Sequence, residues 1–207
     1  MKVYSIPLGP LGTNCYIAAD EKTKECLIID PAANGEELVA LIRKEDFKPK
    51  AILLTHGHSD HIGAVEALQG AFDIPLYIHK LDLPYLTDVG LNLSEFTGNH
   101  VVVHAVDIHE VAGGDTVSCG SIILNVLETP GHTPGGVSYY GEGVVFVGDT
   151  LFYESVGRTD FVGGSMEQLV KSVTEQLLTL PDDTLVYPGH GPATTIGHER
   201  QYNGFLQ

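Results

Sequence analysis

Histidine is concentrated in one short segment of this chain, and that segment most constrains how the chain can fold. Three of the ten histidines fall in the run Thr55-His56-Gly57-His58-Ser59-Asp60-His61. An apolar run, residues 51–54, precedes it, and residues 62–68 carry apolar side chains at helical spacing. The pattern predicts a buried strand, a polar loop and then a helix, with the polar side chains gathered at the end of the strand.

The spacing within this run indicates two cation sites. In extended backbone, residues i and i+2 project to the same side, so His56 and His58 can bind one ion. Asp60 and His61 turn into the helix and are expected to point toward a second ion. Imidazole and carboxylate ligands suit zinc, iron or manganese, and the lack of cysteine disfavours a closed structural zinc site. The alternative interpretation is a solvated polar loop in which Asp60 stabilises the helix N-terminus.

Three further loops repeat the same context, a polar residue in a glycine-rich turn that follows an apolar strand. These loops contain His132, Asp149 and His190. Each loop taken alone is ordinary turn chemistry. Functional residues collect on loops at one edge of a rigid sheet, so we expect all four loops to converge there.

Short apolar runs alternate with turn residues in both halves of the chain, which predicts an α/β protein with two packed sheets covered by helices. Residues 82–109 show no clear pattern and are interpreted as a helix-and-loop excursion. Predicted strands span residues 3–6, 15–18, 26–29, 51–54, 116–118, 122–127, 137–140, 144–147 and 184–187, and predicted helices span residues 35–46, 62–68 and 166–178.

Composition narrows the class of protein. The 207 residues include 11 basic and 27 acidic side chains, which gives a net charge of −16. This length suits a single domain, residues 1–207. The negative charge argues against nucleic-acid and anionic-membrane partners, because both need clustered Lys and Arg. Three cysteines without CxxC spacing, and an N-terminus unlike a secretory signal, favour reduced thiols in a cytoplasmic protein.

The run from His56 to His61, followed in order by His132, Asp149 and His190, resembles the metallo-β-lactamase fold superfamily over nearly the whole chain. The resemblance implies a four-layer αββα sandwich that holds two divalent metal ions, with zinc favoured and iron or manganese as alternatives. It implies that His56, His58 and His132 bind the first ion, that Asp60, His61 and His190 bind the second, and that Asp149 bridges them. Five histidines match no ligand position and are interpreted as ordinary surface or core residues: His79, His100, His104, His109 and His198.

Two further segments, residues 148–161 and 194–199, resemble the glyoxalase II group of hydroxyacylglutathione hydrolases. This resemblance implies that Arg158 contacts the substrate at the glutathione part, whereas the alternative is a pairing of Arg158 with Asp160. The chain departs from the group in having Asp160 where the group has tyrosine. It also lacks the helical domain that follows in the group, since 17 residues come after His190. Asp149 separates the chain from true β-lactamases, which do not bridge their metals with aspartate at that position.

The chemistry expected of such a site is metal-assisted hydrolysis. Bound metal lowers the pKa of water to about 7 and so supplies a hydroxide, here one that bridges the two ions. Asp60 is expected to orient the proton of this nucleophile. A thiolate leaves without a general acid because thiol pKa values lie near about 8.5. This favours a thioester only weakly, and the resemblance to the glyoxalase II group implies a small-molecule thioester such as S-lactoylglutathione as the substrate.

Other reactions on the same site remain as alternatives. Persulfide dioxygenases share the fold and resemble the chain at residues 157–161, but they hold one iron through residues that match His56, His132 and Asp149. Lactonase and phosphodiesterase chemistry are further alternatives. Metal analysis combined with thioester and oxygen-uptake assays separates hydrolase from dioxygenase.

Overall fold

Two six-stranded β-sheets lie face to face at the centre of the computed structural model, which describes residues 1–207. The first sheet has the strand order β1-β2-β3-β4-β5-β6. Its strands are β1 (Lys2–Leu8), β2 (Thr13–Ala19), β3 (Glu25–Ile29), β4 (Lys48–Leu53), β5 (Leu76–His79) and β6 (Ile108–Val111). Strands β1 to β3 pair antiparallel, and β3 to β6 pair parallel.

The second sheet has the order β14-β13-β10-β9-β8-β7, and β11 and β12 form a separate two-stranded ribbon. The strands are β7 (Thr116–Cys119), β8 (Ile122–Glu128), β9 (Val137–Gly141), β10 (Val144–Gly148), β11 (Leu151–Phe152), β12 (Ser155–Val156), β13 (Leu185–Pro188) and β14 (Thr194–Thr195). The strands predicted over residues 137–140 and 144–147 are confirmed as β9 and β10, which pair as a hairpin with Glu142 and Gly143 at positive φ in its tight turn.

Helices cover the outer faces of both sheets. They are α1 (Gly35–Lys44), α2 (Ser59–Ile62), α3 (Val65–Phe72), α4 (Met166–Ser172), which continues as a π-helical turn (Val173–Leu177), and α5 (Ile196–Tyr202). Helix α1 carries acidic residues in its first turn and basic residues in its last, which complements the helix dipole. Helices α4 and α5 begin at Ser165 and Thr195, whose side chains accept hydrogen bonds from backbone N–H groups.

Three apolar clusters separate four layers. Leu38 and Ile42 of α1 pack with Leu68 of α3 against the first sheet. A second cluster, which includes Tyr139 and Phe146, fills the space between the sheets. A third places Leu169 of α4 and other helical residues against the second sheet. The αββα sandwich expected from the sequence is confirmed.

The predicted helix over residues 62–68 is wrong in one respect, because the chain forms two helices there. The backbone N–H groups of Gly63 and Ala64 donate to the carbonyls of Ala32 and Pro31 rather than to the preceding turn. These long-range hydrogen bonds separate α2 from α3. No local pattern reveals them.

The excursion predicted over residues 82–109 is partly wrong, because its end enters β6. The rest contains two 3-10 helices, Lys80–Leu86 and Ser94–Thr97. Strand β6 is mostly exposed and includes His109 and Glu110, so it lacks the apolar run that marks the central parallel strands.

No helix in the structure combines the length and the apolar character that crossing a membrane requires. Cys15, Cys26 and Cys119 are free and buried. Burial raises the pKa of the Cys119 thiol to about 11, so this thiol is in its protonated form at neutral pH. A cytoplasmic location stays a prediction.

Adjacent isoleucines of β8 offer a matched test of the packing between the sheets. Ile122 is fully buried, whereas Ile123 points to solvent with 55% of its surface exposed. We expect Ile122→Ala to lower the free energy of unfolding by about 2–5 kcal/mol, because it leaves a cavity. Ile123→Ala is expected to change it by less than about 0.5 kcal/mol. Urea denaturation followed by circular dichroism measures both, and equal losses would contradict the described interface.

Candidate metal centre

The four polar loops identified in the sequence meet at one edge of the sandwich. His56 and His58 follow β4, and α2 carries Asp60 and His61. The other three residues follow strands of the second sheet: His132 follows β8, Asp149 follows β10 and His190 follows β13. Strands β8, β10 and β13 run in the same direction, so their carboxyl ends share an edge.

Hydrogen bonds between the sheets hold this edge together. The backbone N–H of Val137 donates to Thr55, and the N–H of Asn14 donates to Gly189 at 2.7 Å. The Tyr16 hydroxyl donates to the Pro188 carbonyl at 2.7 Å. The two halves of the site are therefore fixed to each other by backbone and buried side-chain contacts.

The seven polar side chains form three overlapping groups. Within each group the potential ligand atoms all lie within 4.8 Å of one another. The groups are His56 with His58 and His132, His56 with His61 and Asp149, and Asp60 with His61 and His190. None of the five histidines that match no predicted ligand position belongs to such a group.

Asp149 lies between the two ends of the cluster. Its Oδ2 is 3.6 Å from His132 Nε2 and 3.5 Å from His190 Nε2, and its Oδ1 is 3.4 Å from His61 Nε2. Asp60 Oδ2 lies 3.1 Å from His190 Nε2. One carboxylate thus faces imidazoles from both groups, which is the arrangement a bridging ligand needs.

Three polar atoms in this cluster are buried without any hydrogen-bond partner: His56 Nε2, His61 Nε2 and Asp149 Oδ1. Such atoms cost free energy unless something satisfies them, and native proteins contain few. Imidazole nitrogen and carboxylate oxygen are ligands that zinc and iron accept. The unsatisfied atoms and the donor types together fit a divalent metal centre.

Hydrogen bonds on the outer side of the rings orient the histidines. His132 Nδ1 donates to the Arg158 carbonyl at 2.7 Å, and His61 Nδ1 donates to Asp30 Oδ2 at 3.0 Å. Thr55 Oγ1 donates to Asp30 and so accepts from His56 Nδ1 at 3.1 Å. With Nδ1 donating outward in these rings, each Nε2 faces the centre and can bind a cation there once it carries no proton.

The pKa values of histidines are shifted in opposite directions at the two ends of the site. Burial and neighbouring imidazoles lower the pKa of His56 well below its usual value and that of His58 to about 3. Burial also acts to lower the pKa of His61, but Asp60, Asp149 and Asp30 raise it well above the usual value. A cation that enters beside His61 must displace a proton, so metal affinity is expected to rise with pH.

The carboxylates of the centre are ionised. Burial acts to raise the pKa of Asp60 and of Asp149, but the adjacent imidazoles, His61 first among them, lower both. Asp60 Oδ2 also accepts a hydrogen bond from Thr13 Oγ1 at 2.8 Å. Both carboxylates therefore contribute negative charge that favours a bound cation.

Two buried aspartates of the site were not predicted from the sequence. Asp30 accepts from Thr55 and faces His61, and Asp82 accepts from the N–H of Gly57. Asp30 follows a buried strand, which is the signal used for the other loops, but here it indicated only a turn. Asp82 lies in the stretch without a pattern, and no local signal marks it.

Arg158 lies beside the cluster but is already paired. Its guanidinium donates two hydrogen bonds to Asp160, at 2.8 and 3.0 Å, and covers the ring of Phe161. The Arg158 side chain is 69% exposed. The pairing with Asp160 that the sequence offered as the alternative is present, and an anchoring role for Arg158 stays a prediction.

Phe161 connects the cluster to a surface groove. Its ring centroid lies 5.6 Å from that of His58 and 6.1 Å from that of His132. Phe161 also lines a groove of about 440 Å³. The groove has both apolar and acidic lining residues, among them Leu91, Leu93, Val162, Asp88, Glu95 and Asp160. It gives part of a small molecule a place to lie beside the cluster.

The family follows from a comparison with known proteins. Residues 8–190 match the model of the metallo-beta-lactamase superfamily. The chain belongs to this superfamily.

Two curated relatives extend over its full length. The chain is 42% identical to "Probable metallo-hydrolase YqgX" of Bacillus subtilis (strain 168), and 34% identical to "Hydroxyacylglutathione hydrolase GloC" of Haemophilus influenzae (strain ATCC 51907). Each alignment covers 100% of this chain and 98% of the relative.

Solved structures of this superfamily share the fold closely. The crystal structure of BLEG-1, described as a B3 metallo-beta-lactamase, matches with a TM-score of 0.95 and 43% identity over 99% of both chains. The structure of TTHA1623 in a di-iron-bound form matches with a TM-score of 0.88 and 40% identity, over 98% of this chain and all of that one. The second structure shows that a similar protein holds two iron ions.

A close contact at Gly189 generates a test of the centre. A Cβ at this position would lie 2.2 Å from Asp149 Oδ1 and 2.7 Å from His61 Cε1. We expect Gly189→Ala to displace both side chains and to weaken metal binding by at least about tenfold, as loss of a supporting contact does. Gly70→Ala is the matched control, because a Cβ at Gly70 meets nothing within 4 Å. Metal content after dialysis, measured by mass spectrometry, checks both, and full retention by Gly189→Ala would contradict the geometry.

Proposed function

We propose that this member of the superfamily is a dinuclear metal-dependent hydrolase that cleaves small-molecule thioesters such as S-lactoylglutathione. The observation that carries the proposal is the convergence of seven metal-competent side chains around buried atoms that nothing in the protein satisfies. The likeness to a hydroxyacylglutathione hydrolase along the whole chain supports the choice of a thioester.

In this proposal His56, His58 and His132 hold one cation, and Asp60, His61 and His190 hold the other. Asp149 contacts both, in keeping with its distances to His132 and His190. Two bound divalent cations, zinc or the iron of the similar di-iron structure, would lower the pKa of water toward about 7 and polarise a substrate carbonyl. Manganese fits the same donor types.

Asp60 is the catalytic carboxylate of the proposal. Its side chain is 24% exposed, whereas that of His61 is fully buried. Thr13 Oγ1 donates to Oδ2, which fixes the carboxylate without neutralising it. An ionised carboxylate in this position orients the attacking water by accepting its proton in a hydrogen bond at an Asp60 oxygen.

The substrate is proposed to lie along Phe161. The ring contacts His58 and His132 and also lines the groove, so the scissile bond can reach the cluster while a longer group lies in the groove. Arg158 covers the same ring and offers a guanidinium to a substrate carboxylate. A substrate carboxylate that binds Arg158 must displace Asp160 from the guanidinium or share the guanidinium with it.

The leaving group decides between two hydrolytic reactions. A thiolate departs without protonation because thiol pKa values lie near about 8.5, whereas an amine requires a proton donor. β-Lactam hydrolysis is the second candidate. The likeness to BLEG-1 favours it, whereas Asp149, which the sequence predicts to separate the chain from true β-lactamases, argues against it. Since no acidic proton donor is evident beside the cluster, the thioester is the preferred substrate.

Metal analysis combined with a substrate panel tests the proposed function. Protein purified without added metal is expected to contain two ions per chain and to hydrolyse S-lactoylglutathione faster than nitrocefin. Oxygen uptake with glutathione persulfide runs in parallel. A single iron with oxygen consumption and no thioester cleavage would contradict the proposal and favour a dioxygenase. Faster cleavage of nitrocefin would favour the β-lactam reaction.

The Arg158–Asp160 pair gives a test of the anchoring role. We expect Arg158→Ala to raise the KM for S-lactoylglutathione by about tenfold, the value of a charge-assisted hydrogen bond, with metal content unchanged. Asp160→Asn releases the guanidinium and is expected to lower the KM. Steady-state kinetics measures both variants. An unchanged KM in Arg158→Ala would remove the anchoring role.

A further inference from the structure

The buried carboxylate of Asp82 joins the two loops that bring three histidines together. We propose that Asp82 is a positioning residue for the His56, His58 and His132 cluster, and that it sets the metal affinity of this cluster and not that of the Asp60, His61 and His190 cluster. The inference rests on the proposed metal centre. It adds a residue from outside the seven that face the ions.

Asp82 lies in the 3-10 helix Lys80–Leu86 and is completely buried. Its Oδ2 accepts hydrogen bonds from the backbone N–H of Gly57 at 3.0 Å and from Thr133 Oγ1 at 2.8 Å. Its Oδ1 accepts from the backbone N–H of Gly135 at 2.7 Å. One carboxylate thus uses both oxygens and accepts from three uncharged donors. Burial is the larger effect on the pKa of Asp82 and raises it above its usual value, while these hydrogen bonds act to lower it.

The partners of Asp82 identify what it positions. Gly57 separates His56 from His58, and Thr133 directly follows His132. The two loops bring His58 Nδ1 to 2.9 Å from His132 Nε2. A backbone hydrogen bond from Val137 to Thr55 joins the bases of the same loops at 2.8 Å. Asp82 adds a connection through residues directly adjacent to the histidines, Gly57 and Thr133.

The fit around the carboxylate is close. A Cβ at Gly135 would lie 2.5 Å from Asp82 Oδ1 and 2.8 Å from the Asp82 backbone nitrogen. The loop after His132 can therefore approach the 3-10 helix this closely only because residue 135 is a glycine. A side chain that is longer or differently charged than aspartate would not accept all three donors.

Asp82 also places a carboxylate behind the cluster that has none of its own. His56, His58 and His132 are neutral imidazoles when they bind metal and share only Asp149 with the other cluster, which also contains the carboxylate of Asp60. In its ionised form Asp82, one hydrogen bond behind the three-histidine cluster, makes the local potential more negative, and few mobile charges screen it there. Outer-shell groups of this kind change metal affinity by about 10–100-fold when they are removed.

A purely structural role makes a different prediction. If Asp82 only stabilised the fold, its replacement would lower stability and affect both metal clusters alike. Asp20 provides the matched control, because it is also buried and accepts hydrogen bonds from the N–H groups of Lys22 and Thr23 and from Ser121. Asp20 contacts none of the loops that carry the seven side chains.

The experiment titrates metal-free protein with Co²⁺ against a competing chelator, and it follows the visible absorption of each ion and the melting temperature. In Asp82→Asn we expect the affinity of the His56, His58 and His132 cluster to fall by about 10–100-fold, while that of the other cluster stays within about threefold of wild type. A loss confined to the other cluster would overturn the inference. Asp20→Asn is expected to melt at a lower temperature and to keep both affinities. Thr133→Val removes one of the three donors and is expected to give a smaller loss of affinity at the same cluster. This variant tests the role of Asp82 if Asp82→Asn does not fold.

The outcomes distinguish the inference from the function on which it rests. Unchanged affinities in Asp82→Asn and Thr133→Val, or equal losses at both clusters, would overturn the role of Asp82. An affinity loss of the same size in Asp20→Asn would overturn it as well. Wild-type protein that binds fewer than two Co²⁺ ions would instead overturn the proposed dinuclear centre, and the inference with it.

Discussion

Three unsatisfied polar atoms buried at one edge of the sandwich are the constraint on which the rest of the structure depends. His56 Nε2, His61 Nε2 and Asp149 Oδ1 have no hydrogen-bond partner, and each such atom costs about 1–3 kcal/mol. The surrounding residues keep these atoms directed toward the centre. Asp30, for example, accepts a hydrogen bond from His61 Nδ1 and so fixes the ring with Nε2 on the other side. Two divalent cations would offset the cost, because between them they bind these three atoms. The two sheets and their loops act as the rigid support that such a site requires.

The sequence predicts the layers and the loops of this site, because both have local signals. Apolar runs mark the buried strands, and a polar residue after such a run marks His132, Asp149 and His190. The features it misses depend on partners that are distant along the chain. Gly63 breaks a helix because its N–H donates to Ala32, and Asp82 matters because its carboxylate meets two loops. No periodicity within the segment of either residue contains that information.

The metal edge and the substrate side have different origins in this fold. The seven converging side chains lie within the segment that matches the superfamily model, and four strand ends position them. The proposed substrate side depends on Phe161, on the groove that Phe161 lines and on an Arg158 that Asp160 already neutralises. In the proposed reaction the metal edge supplies the hydrolytic chemistry, and the segment around Arg158 and Phe161 selects the substrate.

A crystal structure of the metal-loaded protein, with anomalous scattering recorded at the absorption edge of the bound metal, tests the dinuclear centre. Two anomalous peaks are expected, one among His56, His58 and His132 and one among Asp60, His61 and His190, with Asp149 in contact with both. A single peak, or two peaks that Asp149 does not join, would contradict this arrangement.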